Sequence, residues 1–278
     1  MGPHSNHNHG IDGGVSPYRG PVASDWDGRR YDEVSGLQRW VADQALATLD
    51  LRGDERVLDV GCGDGRVTAE LAARVPRGAV VGVDPSPRML EVARTRIATP
   101  NLSFETGTAE TLPYRAEFDV VVSFNALHWV DELEVALTRI RASLVDGGTA
   151  YLQLVCEGDR PSVEDVTDAV TRRAPYAAHL GDRAPAFRHR RPEEVAALAE
   201  IAGLDLVASR VDDLLWDFGD AESLRSWLRV GFGDWLRPLP DDGAREALLA
   251  EAARDYAEVV GSPTVVRFLQ LRDTFAAG

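Results

Sequence analysis

Residues 57–65 read Val57-Leu58-Asp59-Val60-Gly61-Cys62-Gly63-Asp64-Gly65, an apolar stretch followed at once by a glycine-rich turn. The apolar part predicts a short buried strand over Arg56–Val60, and helical spacing after the turn predicts a helix over Arg66–Val75. Glycines between a strand and a helix let the backbone turn sharply and let a ligand approach closely. In parallel sheets such turns lie beyond the carboxyl ends of the strands, where ligands bind. The stretch therefore predicts an α/β fold with a ligand site at this turn.

The glycine spacing and the next acidic residue restrict the ligand. The turn has the pattern G-x-G-x-G, and it departs from the G-x-G-x-x-G of dinucleotide-binding folds because residue 66 is Arg. Asp84 closes the next predicted strand, Ala79–Val83, where a carboxylate can accept hydrogen bonds from both hydroxyls of a ribose. The pair favours an adenosine-type ligand over a purely structural turn, and it makes a nicotinamide oxidoreductase the weaker interpretation.

Strands and helices alternate along the first half of the chain, which predicts a doubly wound sheet with right-handed crossovers. Ser86-Pro87 marks a helix start, because Ser suits the N-cap and Pro the first helical position. A helix is predicted over Leu133–Leu144, ended by Asp146-Gly147-Gly148. Further strands are predicted over Leu102–Glu105, Phe118–Phe124, Thr149–Val155, Asp205–Phe218 and Thr264–Phe275. The predicted class is α/β, with a seven-stranded, mostly parallel sheet.

The domain organisation follows from breaks in composition and periodicity. Residues 1–24 are rich in Gly, His, Asn, Pro and Ser and are predicted to form a disordered tail. Residues 25–278 are predicted to form one domain with a helical cap. Its parts are an entrance helix (25–50), a cofactor-binding core (51–156), an insertion or lid (157–191), a core helix and strand (192–218), the helical cap (219–263) and the last strand (264–278).

Four segments carry a family resemblance: Val57–Gly65, Val80–Met89, Gly107–Pro113 and Phe118–Val130. In this order they resemble the successive motifs of the class I S-adenosylmethionine-dependent methyltransferases. The resemblance implies a Rossmann-like fold, S-adenosylmethionine as cofactor, and a cofactor site of thirteen residues. These are Tyr31, Asp59, Gly61, Cys62, Gly63, Asp84, Pro85, Met89, Thr108, Ala109, Glu110, Asn125 and Ala126.

The resemblance also implies a role for several of these positions. Gly61 and Gly63 would lie against the methionine part near Asp59, and Asp84 would hold the ribose. The family usually has Asp where this chain has Thr108, and a hydroxyl is a weaker, neutral acceptor for the adenine amino group. Glu110 could replace that contact, or it could be an ordinary surface residue.

Gln38 and Trp129 point to the methyl acceptor. Their placement resembles the carboxyl methyltransferases of trans-aconitate, insect juvenile hormone acid, plant benzoate-type acids and the malonyl carrier protein of biotin synthesis. In the insect and plant groups a Gln and a Trp donate hydrogen bonds to the substrate carboxylate. The resemblance implies a methyl ester product. The alternative is that Trp129 packs in the core or against the cofactor and Gln38 lies on the surface of its helix.

His128 supports a competing interpretation, in which it acts as a general base for methyl transfer to a hydroxyl, phenol or amine. The pattern favours the alternative that it is a packing or hydrogen-bonding residue at a strand end. A protein that binds the cofactor without catalysis is a third alternative. An aromatic group late in the chain could roof an apolar substrate pocket or form the core of the cap: Trp216, Phe218, Trp227, Phe232 and Trp235.

Composition excludes several classes of function. The net charge of −15 disfavours nucleic acid as a partner. The chain has no lysine, so Schiff-base chemistry and a Walker-type phosphate loop are excluded. No apolar run is long enough to span a membrane, and no His/Cys cluster has metal-ligand spacing. We therefore predict a cytoplasmic monomer or homodimer that acts on a small molecule, without membrane or metal, and whose two cysteines stay reduced.

Overall fold

The computed structural model describes residues 36–96, 99–181, 183–185 and 187–278, so Tyr31 and the predicted tail lie outside the described residues. Seven strands form one sheet: β1 (Arg56–Val60), β2 (Ala79–Asp84), β3 (Leu102–Thr106), β4 (Phe118–Phe124), β5 (Leu144–Cys156), β6 (Leu204–Asp217) and β7 (Val265–Ala277). Their order is β3-β2-β1-β4-β5-β7-β6. The pairings among β1–β5 are parallel, and β7 runs antiparallel to β5 and β6. The predicted α/β class and the seven-stranded, mostly parallel sheet are confirmed.

The described helices connect and cover these strands. They are α1 (Gly36–Leu46), α2 (Arg66–Arg74), α3 (Pro87–Arg96), α4 (Leu133–Ser143), α5 (Val163–Thr171), α6 (Ala177–Leu180), α7 (Pro192–Ile201), α8 (Ala221–Phe232) and α9 (Asp242–Val260). Short 3-10 turns follow β3 at Ala109–Thr111 and β4 at Leu127–Trp129.

Side chains of the central strands alternate between two apolar cores. Leu58 and Val121 belong to a core with α4 and α7, whereas Val57 and Val122 belong to a core with α2. Strands buried on both faces need apolar residues at successive positions, which explains the apolar runs in β1 and β4. The crossover from β1 and β2 on one side to β4 and β5 on the other leaves a crevice at the carboxyl ends of β1 and β4.

The junction of α4 and β5 differs from the prediction. The helix ends at Ser143, and β5 begins at Leu144 instead of Thr149. Gly147 adopts a positive φ of 76°, and the register between β4 and β5 shifts here. Asp146-Gly147-Gly148 therefore bends a strand that has already begun, and it does not end the helix.

A third apolar core holds the cap over the crevice. It joins α1, α5, α8 and α9 with the inner residues Val266 and Phe268 of β7. In the segment 157–191, Ser162 caps α5 by accepting a hydrogen bond from the Asp165 amide, while Asp165 accepts from the Ser162 amide. In the described ranges no helix is both long enough and apolar enough to cross a membrane.

Candidate active site

A continuous cavity of about 270 Å³ lies over the carboxyl ends of β1, β2 and β4. This is the edge of an open α/β sheet at which ligands bind. The predicted site residues that line it are Gln38, Asp59, Gly61, Cys62, Gly63, Asp84, Pro85, Met89, Asn125, His128 and Trp129.

The turn after β1 needs glycine for two separate reasons. Gly61 and Gly63 have φ values of 77° and 53°, which L side chains rarely adopt. A Cβ on Gly61 would also come within 2.2 Å of the Cβ of Ala126, whereas a Cβ on Gly63 would meet its nearest neighbour, Met89, at 3.4 Å. Gly61 thus permits the close approach of the two loops that follow β1 and β4.

Asp84 ties this turn to the end of β2. Its Oδ2 accepts a hydrogen bond from the Gly63 amide at 2.9 Å, and its Oδ1 accepts one from the Ser86 amide at 2.9 Å. Burial raises the pKa of this carboxyl group, and the two amide bonds act against that shift. An ionised carboxylate has about four acceptor positions, so both oxygens keep capacity for a ligand.

Asp59 places a second carboxyl group in the cavity. It is 2% exposed, and its Oδ2 accepts a hydrogen bond from the Thr68 hydroxyl at 2.8 Å. Burial raises the pKa of Asp59 to about 7, and the charges of Asp84 and Asp64 act in the same direction. A cationic ligand group beside Asp59 would favour the ionised carboxylate, and it would bind more tightly to that form than to the protonated one.

The other predicted cofactor residues are not part of the lining. Ala126 lies behind it, against Gly61. Thr108 caps the turn Ala109–Thr111, where its amide donates to the Thr111 hydroxyl. Ala109 is buried and Glu110 half-buried in that turn. The contacts to adenine predicted for Thr108, Ala109 and Glu110 stay predictions.

These groups fit S-adenosylmethionine. The glycine turn presents backbone without side chains, Asp59 offers a carboxylate for the ammonium group, and Asp84 offers acceptors for the ribose hydroxyls. Burial raises the pKa of the Cys62 thiol, so this cavity residue stays protonated and uncharged. Cys62 and Cys156 are both free and buried.

Unpaired polar atoms gather where the cavity continues past β4. Among the described residues, Gln38 Oε1, Asn125 Oδ1 and His128 Nδ1 are buried and have no hydrogen-bond partner. Asn125 has a φ of 58°, and its amide donates to the Gln153 carbonyl, which fixes the loop after β4 beside β5. A buried polar atom costs free energy until it is bonded, so these atoms indicate a ligand with polar groups at this place.

His128 is held uncharged. Burial, with a smaller contribution from the nearby His189, lowers its pKa to about 3. The segment after α6 packs on it: the Arg188 amide donates to the His128 carbonyl at 2.8 Å, and the two imidazole rings lie 6.0 Å apart. The Trp129 ring lies 5.3 Å from the His128 ring.

Helix α1 carries Gln38 to the cavity and is held by side chains from α2, β5 and β7. From β5, Gln153 donates to the Val41 carbonyl. From α2, Arg74 donates to the Leu46 carbonyl and Arg66 forms an ion pair with Asp43. From β7, Arg272 donates both to Gln44 on α1 and to Gln153 on β5. These bonds explain why a helix outside the sheet has a defined place over it.

Sequence reasoning missed most of the cavity beyond β4. Of the late aromatic group, Trp227 and Phe232 line the cavity, whereas Trp216, Phe218 and Trp235 pack in the cap. Residues not predicted there include Val155, Val163, Glu164, Val230, Val266, Phe268 and Gln270. The spacing along β7 was a usable signal. Val266, Phe268 and Gln270 are two residues apart, so in a strand their side chains lie on the same face.

Known methyltransferases resemble this chain in sequence. Residues 57–148 match a family model described as a methyltransferase domain. The trans-aconitate 2-methyltransferase of Methylobacterium radiotolerans is 33% identical over 224 residues, which cover 78% of this chain and 83% of the relative. That of Methylobacterium nodulans is 31% identical, over 84% of this chain and 93% of the relative.

Solved structures share the fold. YcgJ protein from Bacillus subtilis has a TM-score of 0.60 at 20% identity, and the superposition covers 86% of this chain and 98% of YcgJ. Haemonchus contortus phosphoethanolamine N-methyltransferase 2, in complex with S-adenosyl-L-methionine, has a TM-score of 0.60 at 17% identity over 90% of this chain and 56% of that chain. With a cavity that fits the cofactor, and with relatives aligned over most of the chain, the protein belongs to the class I S-adenosylmethionine-dependent methyltransferases, in the trans-aconitate methyltransferase group.

Proposed function

We propose that this enzyme transfers a methyl group to a carboxylate oxygen of a small molecule and forms a methyl ester. The observation that carries the proposal is the set of neutral polar groups at the junction beyond β4. Gln38, Asn125 and Trp129 are uncharged by nature, and the low pKa of His128 keeps its imidazole neutral. Such groups can orient a carboxylate without binding it as tightly as an arginine would.

A carboxylate acceptor needs no proton transfer. Carboxylic acids are ionised at neutral pH, so the nucleophile is ready when it binds. S-adenosylmethionine supplies a methyl group on a positively charged sulfur. The acceptor oxygen bonds to the methyl carbon as the carbon–sulfur bond breaks, and the electron pair of that bond stays on sulfur. The protein has to align the two reactants and exclude water.

The roles of Gln38 and Trp129 follow from their chemistry. Gln38 and Trp129 both line the cavity, and an amide and an indole both carry N–H groups that can donate to a carboxylate. The amide of Gln38 has an unpaired buried end, and rotation about its terminal bond presents either the oxygen or the nitrogen. We assign both residues to orientation of the acceptor carboxylate.

The hydroxyl or amine alternative requires a base. A base works best when its pKa lies near the working pH, and a pKa of about 3 makes His128 a poor acceptor of protons. The similarity to proteins named trans-aconitate 2-methyltransferase also supports an acid as the acceptor. A small molecule, and not nucleic acid, is the acceptor we infer from the charge of −15.

A product assay tests the proposal. The purified protein is incubated with methyl-labelled S-adenosylmethionine and a panel of small acids, phenols and amines, and labelled products are identified by mass spectrometry. We expect label in acids only, and its release as methanol under mild alkali. A product whose methyl group survives alkali contradicts ester formation.

A further inference from the structure

The half of the cavity beyond Trp129 has walls unlike those of the cofactor half. We call it the acceptor chamber. It is formed by β5, β7, α5 and α8, through Val155, Val163, Trp227, Val230, Phe232, Val266, Phe268 and Gln270, with Glu164 and Arg267 as its charged residues. Most of these side chains are apolar, and they belong to the core of the cap.

The sheet register gives the extent of this chamber. Gln270 on β7 pairs with Val155 on β5, and Gln153, two residues earlier on β5, pairs with Phe124 at the end of β4. Neighbouring strands lie about 4.8 Å apart, so Gln270 is separated from the end of β4 by roughly 10 Å across the sheet. An acceptor whose carboxylate lies at Trp129, just past the end of β4, can therefore extend for roughly 10 Å before it reaches Gln270.

The charges in the acceptor chamber are already balanced. Arg267 donates from Nε and Nη2 to the two oxygens of Asp213, at 3.1 and 2.8 Å. Asp213 also binds Arg160, at 2.7 Å. Asp213 and Arg160 lie outside the lining, so the charged groups of the chamber itself are Glu164 and the already paired Arg267. A second or third carboxylate on the acceptor would find no uncommitted cation among the described lining residues.

Gln270 is the exception in this apolar wall. Its side chain is fully buried, and in the described part of the chain neither its Oε1 nor its Nε2 has a hydrogen-bond partner. Leaving a buried donor and a buried acceptor unbonded is costly. An amide donates one hydrogen bond and accepts another, and it neutralises no charge. With Glu164 in the same lining, a neutral hydrogen-bonding group suits Gln270 better than a second carboxylate does.

We propose that the acceptor is a monocarboxylic acid with an apolar body that carries one neutral hydrogen-bonding group, a hydroxyl, ketone or amide, at the end remote from the carboxylate, and that Gln270 binds this group. The inference rests on the proposed carboxylate chemistry and adds the substrate class to it. This substrate class differs from trans-aconitate, because trans-aconitate has three carboxylates on a short carbon skeleton.

A comparison of acids on the unaltered protein tests the substrate class. The set contains trans-aconitate, a straight-chain fatty acid of medium length, and the same fatty acid with a hydroxyl or keto group near its far end. We expect the highest kcat/KM for the substituted fatty acids, the plain fatty acid about tenfold lower, and trans-aconitate lowest, because one buried hydrogen bond is worth roughly a factor of ten.

Substitution of Gln270 tests the assigned contact. Gln270→Met keeps the length of the side chain and removes the amide, so it should reverse the preference between the plain and the substituted fatty acid through KM. Gln44→Met makes the same chemical change outside the lining. It removes an acceptor of Arg272 that helps to hold α1, so the rates with both acids should fall together and their ratio should stay unchanged. Circular dichroism and a cofactor titration establish that each variant is folded.

The outcomes separate this inference from the proposed function. A preference for trans-aconitate overturns the substrate class and leaves methyl ester formation in place. Equal rates for plain and substituted acids, with no change of ratio in Gln270→Met, overturn the role of Gln270. Methylation of phenols or amines but of no acid overturns the proposed function, and this inference with it.

Discussion

The Gly63 amide donates a hydrogen bond to Oδ2 of Asp84 across 2.9 Å, and this bond joins the glycine turn after β1 to the end of β2. The carboxylate therefore both shapes the turn and faces the cavity. Asp84→Ala should weaken S-adenosylmethionine binding by about 1.5–3 kcal/mol, roughly 10- to 150-fold in Kd.

The Asp84→Ala effect is measured by calorimetry. The variant should also melt at a lower temperature, since the Gly63 and Ser86 amides lose their acceptor. Asp146→Ala, which removes a carboxylate that is 98% exposed, is the control and should change neither quantity. Unchanged affinity in Asp84→Ala would show that the cofactor binds elsewhere.

Cofactor affinity should depend on the ionisation of Asp59. In the free protein its pKa is about 7, and a bound ammonium group beside it would lower that value. Binding near neutral pH should therefore release protons, and affinity should rise with pH up to about 7 and then level off. Calorimetry in buffers of different ionisation enthalpy measures the released protons.

Two variants check the assignment to Asp59. Asp59→Asn should bind more weakly at pH 8 and lose the pH dependence. Thr68→Val removes the hydroxyl that stabilises the ionised form, so it should move the rise in affinity to higher pH. A pH profile that is the same in Asp59→Asn and the unaltered protein would rule out this carboxyl group.

Gly61 and Gly63 should respond differently to alanine. Both would pay roughly 1–2 kcal/mol for the left-handed backbone, but only Gly61→Ala also drives a Cβ into Ala126. Gly61→Ala should abolish cofactor binding or folding, and Gly63→Ala should remain folded. Adding Ala126→Gly to Gly61→Ala removes the clash and should restore much of the loss, as followed by melting temperature and cofactor titration. Failure of that rescue would contradict the loop contact.

Gln38 and Trp129 should affect both kinetic constants of the acceptor. Gln38→Ala and Trp129→Phe each remove N–H donors, so the carboxylate loses affinity and orientation together, and KM should rise while kcat falls. Gln38→Glu should be worse than Gln38→Ala, because it places a negative charge beside the acceptor. The Kd for S-adenosylmethionine should change little, and a large change would move these residues to the cofactor site.

His128 should not titrate during turnover. With a pKa of about 3 its imidazole is neutral above pH 5, so kcat at saturating cofactor should be flat between pH 6 and 8. His128→Asn should keep much of the rate. A rise in kcat through a pKa near that of free histidine, with a loss of roughly 10²–10⁴-fold in His128→Asn, would establish a general base and a hydroxyl acceptor.

The sequence predicts the fold well where the signals are local. The bounds of β1 and β4 agree with the structure, because apolar runs and the glycine turn lie within a few residues of one another. The segment 157–191 is predicted only as an insertion or lid. The structure shows that Ser162 and Asp165 form a capping box there and begin α5, whose cavity residues depend on where that helix packs. Gln270 could not be assigned from sequence, because its place depends on the pairing of β7 with β5 across the cap.

Helix α1 meets the body of the protein through the apolar core of the cap and through polar contacts with Arg66, Arg74, Gln153 and Arg272. Its release would break these contacts and uncover the cavity without separating any two strands. The backbone amides of α1 are therefore expected to exchange with solvent through a local opening of lower free energy than the opening that exposes β4. A ligand in the cavity should slow the exchange of the α1 amides. Measuring that exchange with and without S-adenosylmethionine would show whether the ligand enters and leaves through this opening.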